Sequence, residues 1–285
     1  MEFSYVLELG LVGGLVLGVL LGLLGGGGAL LALPILTIAF RVPLTDATHL
    51  SLGVVAVGAW FGVAFSILQG PRGKRTSAVD WTAALQFLIP SSMGVWFGKK
   101  ILLPHLPSSI TLFGTSISLD RLILSLLCLI MLLAARSLLR RPTKVAALQG
   151  GLASLETDAT PVLPLKERGK AILEAGGLGL LTSVSGIGGG FLIVPWLTLR
   201  RRVEIKKAAV TSLLLIGANS SFGFLLKAEM AQHFLVWPLN LFLGLVILGI
   251  VIGRILVPKI AGEGLRKGFG IFLIIIAVLL LLTSL

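Results

Sequence analysis

Glycine runs inside apolar stretches limit what a helix can do, and this chain has two. Gly25-Gly26-Gly27-Gly28-Ala29 is followed by four apolar residues and Pro34, and Gly186-Ile187-Gly188-Gly189-Gly190 by four apolar residues and Pro195. Each reads Gly-x-Gly-Gly-small, four apolar residues, Pro. The prolines are 195 − 34 = 161 positions apart. At that offset Gly18 falls on Gly179, Leu36 on Leu197, Thr37 on Thr198, Arg41 on Arg202, Ala47 on Ala208, Ser51 on Ser212 and Gly62 on Gly223. Agreement without a gap marks an internal duplication.

The surroundings of the two runs set the class. Mean hydropathy is +1.04, and 56% of the residues are hydrophobic, which excludes an ordinary soluble domain. Eight apolar stretches, at 7–40, 47–69, 79–98, 119–135, 171–199, 207–226, 234–257 and 267–285, mostly match the roughly 20 residues that carry a helix across a bilayer. Polar and apolar residues do not alternate along them, which argues against a β-barrel. The class is an all-α polytopic membrane protein. The net charge of +12 fits Lys and Arg flanking spans better than a nucleic-acid partner. Cys128 alone permits no intramolecular disulfide and no multi-cysteine metal site. The N-terminus shows neither a basic n-region nor a small-residue cleavage site, so no cleaved signal is expected.

Glycine costs about 1 kcal/mol per residue inside a helix relative to Ala, so stretches 7–40 and 171–199 are expected to break at their glycines. Either each is one long span, giving eight crossings, or each is a re-entrant hairpin that leaves on the side it entered, giving six. Eight crossings divide the 24 Lys and Arg 11 against 13, which is no bias. Six crossings place Arg41, Lys99, Lys100, Arg121 and Lys227 on one side and the rest on the other, 5 against 19, as the positive-inside rule requires. The fold expected is therefore two inverted repeats, each a Gly-broken re-entrant helical hairpin plus three transmembrane helices. Interrupted helices in inverted repeats are a common transporter plan. Residues 1–140 form the first repeat, 141–168 a cytoplasmic linker rich in Pro and Gly, and 169–285 the second repeat; both termini lie outside. Glycines four apart (Gly14, Gly18 and Gly22; Gly58 and Gly62; Gly94 and Gly98; Gly249 and Gly253) are read as helix-packing positions.

The doubled glycine run, with Ala47 to Ser51 and Ala208 to Ser212 each spelling Ala-x-x-x-Ser, resembles the TauE/SafE sulfite exporter family over nearly the whole chain except the linker. The family pattern often places Thr before the Ser; Thr211-Ser212 fits, and His49-Leu50-Ser51 departs. The resemblance implies an inner-membrane carrier of sulfite, sulfonates or related anions, usually an exporter. It implies a small anionic substrate and the lipid bilayer as partners, with no cofactor and no enzymatic activity.

Residue chemistry adds reasons. A hairpin places the N-terminus of its returning arm within the membrane, where free N–H groups favour an anion and glycine lets it approach the backbone. The entering arm brings its C-terminus, of opposite sign, to the same place. The substrate-binding residues expected are Gly26, Gly27, Gly28 and Ala29 at the first tip and Gly188, Gly189 and Gly190 at the second, both near the midplane. Hydroxyl donors Ser51, Thr211 and Ser212 follow the hairpins, Asn219 is an amide that must find partners in hydrocarbon, and His49 is a protonatable contact. Thr182, Ser183, Ser185, Thr48, Ser66, Ser220 and Ser221 are weaker candidates of the same type. His105, His233 and the five tryptophans read as interfacial or packing residues. No Lys or Arg is expected in the middle of a span. The acidic residues Asp46, Asp80, Asp120, Glu174, Glu204 and Glu229 lie near stretch ends, so no buried proton relay is evident. No nucleotide-binding loop is present. An anion channel with rigid hairpins remains the alternative, and an intramembrane enzyme a more distant one.

Overall fold

The computed structural model describes residues 2–26, 28–69, 79–102, 109–112, 115–140, 165–185, 190–201, 203–225, 232 and 237–284. The proposed linker between 141 and 164, and His105 and His233, lie outside them. The described chain is helical apart from one short hairpin. α1 (Glu2–Leu24) ends at the glycines and is followed by α2 (Ala29–Pro34), which continues into a π turn (Ile35–Ala39). Next come α3 (Leu44–Gln69) and α4 (Trp81–Phe97), and a second π turn at Gly98–Leu102. Strands β1 (Ser109–Leu112) and β2 (Thr115–Ser118) pair antiparallel, Ser109 opposite Ser118. α5 (Leu119–Arg140), α6 (Leu165–Ser185), α7 (Gly190–Leu199), α8 (Ile205–Leu225), α9 (Leu239–Leu256) and α10 (Gly262–Ser284) complete the chain. Within it, 46–69, 205–225 and 239–259 are long and apolar enough to cross a bilayer, and Glu8–Leu24 is a shorter apolar helix.

Both glycine breaks reverse the chain. In the first half, Gly10 of α1 packs on Ala39 and Phe40, and Gly13 on Ile35, so the segment after the break runs back along α1. In the second, Glu174 of α6 accepts hydrogen bonds from Trp196 Nε1 at 3.0 Å and from Arg200 Nε at 3.2 Å. Along one straight helix, 200 − 174 = 26 residues would separate Glu174 and Arg200 by about 39 Å. The two arms also share a local device. Thr37 Oγ1 donates to the carbonyls of Leu33 and Pro34, and Thr198 Oγ1 to those of Val194 and Pro195. In both places a hydroxyl bonds the backbone beside a proline that can donate no N–H of its own.

Packing exchanges partners between the halves. α1 lies on α9, and α6 lies on α4. A Cβ on Gly18 would overlap the Val246 carbonyl, and one on Gly249 would overlap the Leu15 carbonyl and come 2.8 Å from Val19 N. Across the other pair, a Cβ on Gly179 would overlap the Ser91 carbonyl, and one on Gly94 would overlap the Gly176 carbonyl and come 2.9 Å from Leu180 N. The spacings agree residue for residue, except that the fourth helix of each half corresponds at 249 − 94 = 155 rather than 161. Aromatic contacts follow the same exchange: Phe242 packs edge-on to Phe40, and Phe87 packs on Trp196. At the centre α3 meets α8 antiparallel, with Gly62 against Leu213 and Trp60 against Gly217, and Trp60 Nε1 donating to Ser221 Oγ at 2.9 Å. α5 and α10 also run antiparallel, Cys128 Sγ reaching the Ala277 carbonyl while Gly270 sits on Leu139.

Candidate functional site

Gly25 ends α1 with its N–H on the Leu21 carbonyl at 2.9 Å and a φ of +77°, the left-handed region that favours glycine. Its missing side chain makes room for α8: a Cβ there would overlap the Ala209 carbonyl and lie 2.6 Å from Ser212 Oγ. The first glycine tip, with Gly25, Gly26, Gly28 and Ala29, is thus seated against the helix that carries Thr211 and Ser212. Gly27 lies outside the described residues, as do Gly188 and Gly189 of the second tip; Gly190 begins α7.

The tip meets α8 within its first half. Ser212 is seven residues from Ile205, the first residue of α8, about 10 Å along its axis, and Ala209 is nearer still. The returning arm is short as well: α2 has six helical residues, with Gly28 at its N-cap and no side-chain cap. A macrodipole worth half a charge belongs to a longer helix, so the returning arm's amides contribute less than that to the field at this tip.

The matched serines behave alike. Ser51 Oγ donates to the Thr48 carbonyl and Ser212 Oγ to the Ala209 carbonyl, both at 2.9 Å, and both side chains are buried. Each hydroxyl proton is held by its own helix, and donation to a ligand needs a rotation about χ1. The two serines do not meet. Gly62 lies level with Leu213, and Ser51 is 62 − 51 = 11 residues earlier on α3, about 16 Å along the axis. His49 and Ser51 therefore belong to one end of the bundle, and Thr211 and Ser212 to the other, in place of a single converging site.

Thr211 and Asn219 already have partners. Thr211 Oγ1 accepts the Asp80 N–H and donates to the Lys207 carbonyl, both at 2.9 Å, while Asp80 Oδ1 caps α4 by accepting from the Ala83 N–H. Asn219 Nδ2 donates to Ser91 Oγ at 3.1 Å, and its Oδ1 accepts from Ser92 Oγ at 2.7 Å. Ser220 Oγ is buried without a partner among the described residues. In the turn between α7 and α8, burial pulls the Arg201 guanidinium below its ordinary pKa, and the charge of Asp80 opposes that shift.

Sequence reasoning missed Arg254. It sits near the end of α9, is 7% exposed, and donates from Nη1 to the Gly22 carbonyl at 3.2 Å, in the last turn of α1 before the glycines. It lies two residues before the end of α9 and not in the middle of a span, so its position along the chain gave no sign of its burial. The signal was Gly249-x-x-x-Gly253-Arg254: two glycines that press α9 against α1 carry the next residue to the tip. No group of three or more His, Cys, Asp or Glu with metal-holding geometry occurs among the described residues.

Related sequences cover more than nine-tenths of this chain. A probable membrane transporter protein of Xylella fastidiosa Temecula1 is 31% identical over 270 residues, covering 93% of this chain and 91% of the relative. A probable membrane transporter protein of Haemophilus influenzae Rd is 28% identical over 301 residues, covering 97% and 98%. A third, from Xylella fastidiosa 9a5c, is 32% identical over 272 residues, covering 93% and 91%. No solved structure matches. The family model for the sulfite exporter TauE/SafE matches residues 10–280, nearly the whole of the paired architecture, and the chain belongs to that family of membrane transporters.

Proposed function

We propose that this protein is a secondary transporter that exports small sulfur-containing anions, such as sulfite or organosulfonates, across the inner membrane. Two inverted repeats with re-entrant hairpins would form the pathway. The observation that carries the reading is the reversal at the glycine breaks, where Glu174 and Arg200 meet although 26 residues apart. A crossing helix cannot do this, and a hairpin that returns to its own side must.

Two further contacts support the same topology. The Asp80 N–H on Thr211 Oγ1 brings the start of α4 to the start of α8. Eight crossings would put the basic segment at 72–75 and the Arg200–Lys207 segment on opposite faces; six crossings put them on one. The antiparallel pairing of α3 with α8 is what an inverted repeat requires of its central helices. On this reading 1–140 and 169–285 are the two repeats, with α6 starting slightly earlier at Leu165. The segment 141–168 is then cytoplasmic and both termini are outside. The sulfur anion comes from the family's name and from the hydroxyl and backbone donors around the first tip.

Purified protein in proteoliposomes tests this. Labelled sulfite or a labelled sulfonate should exchange against unlabelled anion, saturate with concentration, and carry no sustained current. Sustained current without counter-exchange would replace the carrier by a channel. Absence of any sulfur-anion flux would remove the substrate class.

A further inference from the structure

Arg254 has a buried charge that no carboxylate answers among the described residues. Its contact with the Gly22 carbonyl is the one polar interaction it makes among the described residues, and Nε is buried without a partner there. A buried ion without compensation costs several kcal/mol, and a single neutral carbonyl returns only part of that. Something anionic is expected to share the site for at least part of the working cycle.

We propose that Arg254 is the seat for the charge of the transported anion at the first hairpin tip, a small oxyanion held by the guanidinium edge that Gly22 leaves open. This inference rests on the reading of the chain as an anion carrier. The geometry is built rather than incidental. A Cβ on Gly253 would lie 3.0 Å from Leu23 N and 3.1 Å from Gly22 Cα, so α9 touches the backbone of α1 immediately beside the arginine. The Gly22 carbonyl belongs to the last turn of α1, whose end repels anions. By binding it, Arg254 cancels the opposing field and leaves a net positive tip. A guanidinium also offers a planar fork that matches two oxygens of a sulfonate or sulfite.

The other half carries a cation at the corresponding sequence position. Gly94 meets the backbone of Gly176 and Leu180 as Gly249 meets that of Leu15 and Val19. In sequence Gly94-x-x-x-Gly98-Lys99 then corresponds to Gly249-x-x-x-Gly253-Arg254. The correspondence is one of sequence register: Arg254 stands near the end of α9, and Lys99 two residues after the end of α4.

The test is equilibrium binding by calorimetry at fixed ionic strength with wild type, R254K, R254Q and K259Q, the last removing an exposed charge from the same end of α9. Sulfite, sulfoacetate, sulfate, phosphate and acetate are the probes, and the melting temperature of each ligand-free protein is recorded alongside. The expected result is binding at least about tenfold weaker in R254Q, an intermediate loss in R254K, and a change under about twofold in K259Q. A sulfonate bound equally by wild type and R254Q, with only the melting temperature lowered, would reduce Arg254 to a cap on α1 and overturn the inference while leaving the substrate class standing. Arg254-dependent binding of phosphate or acetate but of no sulfur anion would uphold the inference and overturn the substrate class. If R254Q does not fold, phenylglyoxal labelling of wild type replaces it: bound anion should protect Arg254 at least about fivefold, and modification unaffected by anion would count against the seat.

Discussion

Gly25 and Ser212 meet through a contact that only glycine permits, and each side of it can be tested. Gly25→Ala must hold a side chain at φ +77° and against the Ala209 carbonyl. The backbone term alone is about 1–2 kcal/mol, so the melting temperature should fall clearly. Gly268→Ala, with open space at its Cβ, should leave it unchanged or slightly raised. Ser212→Ala and Ser51→Ala each remove an oxygen from a buried end of the pathway, and proteoliposome flux is expected to drop at least about threefold in both. Ser66, which bonds the Gly62 carbonyl within its own helix, should tolerate alanine. Equal flux in all three serine variants would remove the two matched serines from the site. The glycine breaks were legible in the sequence because the duplication marked them twice. Arg254 was not, because its importance comes from the neighbouring helix and not from its own surroundings in the chain.

At the scale of helices, the close pairs α1–α9 and α4–α6 predict paired behaviour. Gly18→Val and Gly179→Val each force a side chain into a facing carbonyl and should destabilise by a similar amount, about 1–3 kcal/mol, read from thermal unfolding in detergent. Gly177→Val, with nothing near its Cβ, should be tolerated. A large loss for Gly18→Val with none for Gly179→Val would show that the halves are not packed equivalently. The sequence identified these glycines as packing positions but not their partners, since spacing reports a face and not what lies against it. The slip from 161 to 155 was hidden for a related reason. Residues 62 to 94 span 32 positions and 223 to 249 span 26, so the second half reaches its fourth helix six residues sooner, and a fixed offset loses the match. The strands at 109–118 carry too few residues to stand out against long apolar runs.

At the scale of the molecule, the six-crossing plan is tested by accessibility. With Cys128 replaced by Ser, single cysteines at Trp81 and Glu204 should react with an impermeant thiol reagent from the same face, the cytoplasmic one. Labelling from opposite faces would sink the inverted arrangement, and so would a reporter after Leu285 that reads cytoplasmic. Depth was the least legible property: glycine says that a helix stops, and only the contact with Ala209 and Ser212 says how far across it has come.

On the proposed inverted plan, the exchange of partners between halves would leave this protein nearly indifferent to being turned over. On that plan the α1–α9 and α6–α4 contacts correspond, so these packings alone give no preference for which surface meets the cytoplasm. That choice would then fall to the 19 cations that the six-crossing plan sets against five on the other flank. Relocating a handful of those lysines and arginines should yield an equally stable molecule inserted upside down, with its direction of traffic left to the gradients it meets.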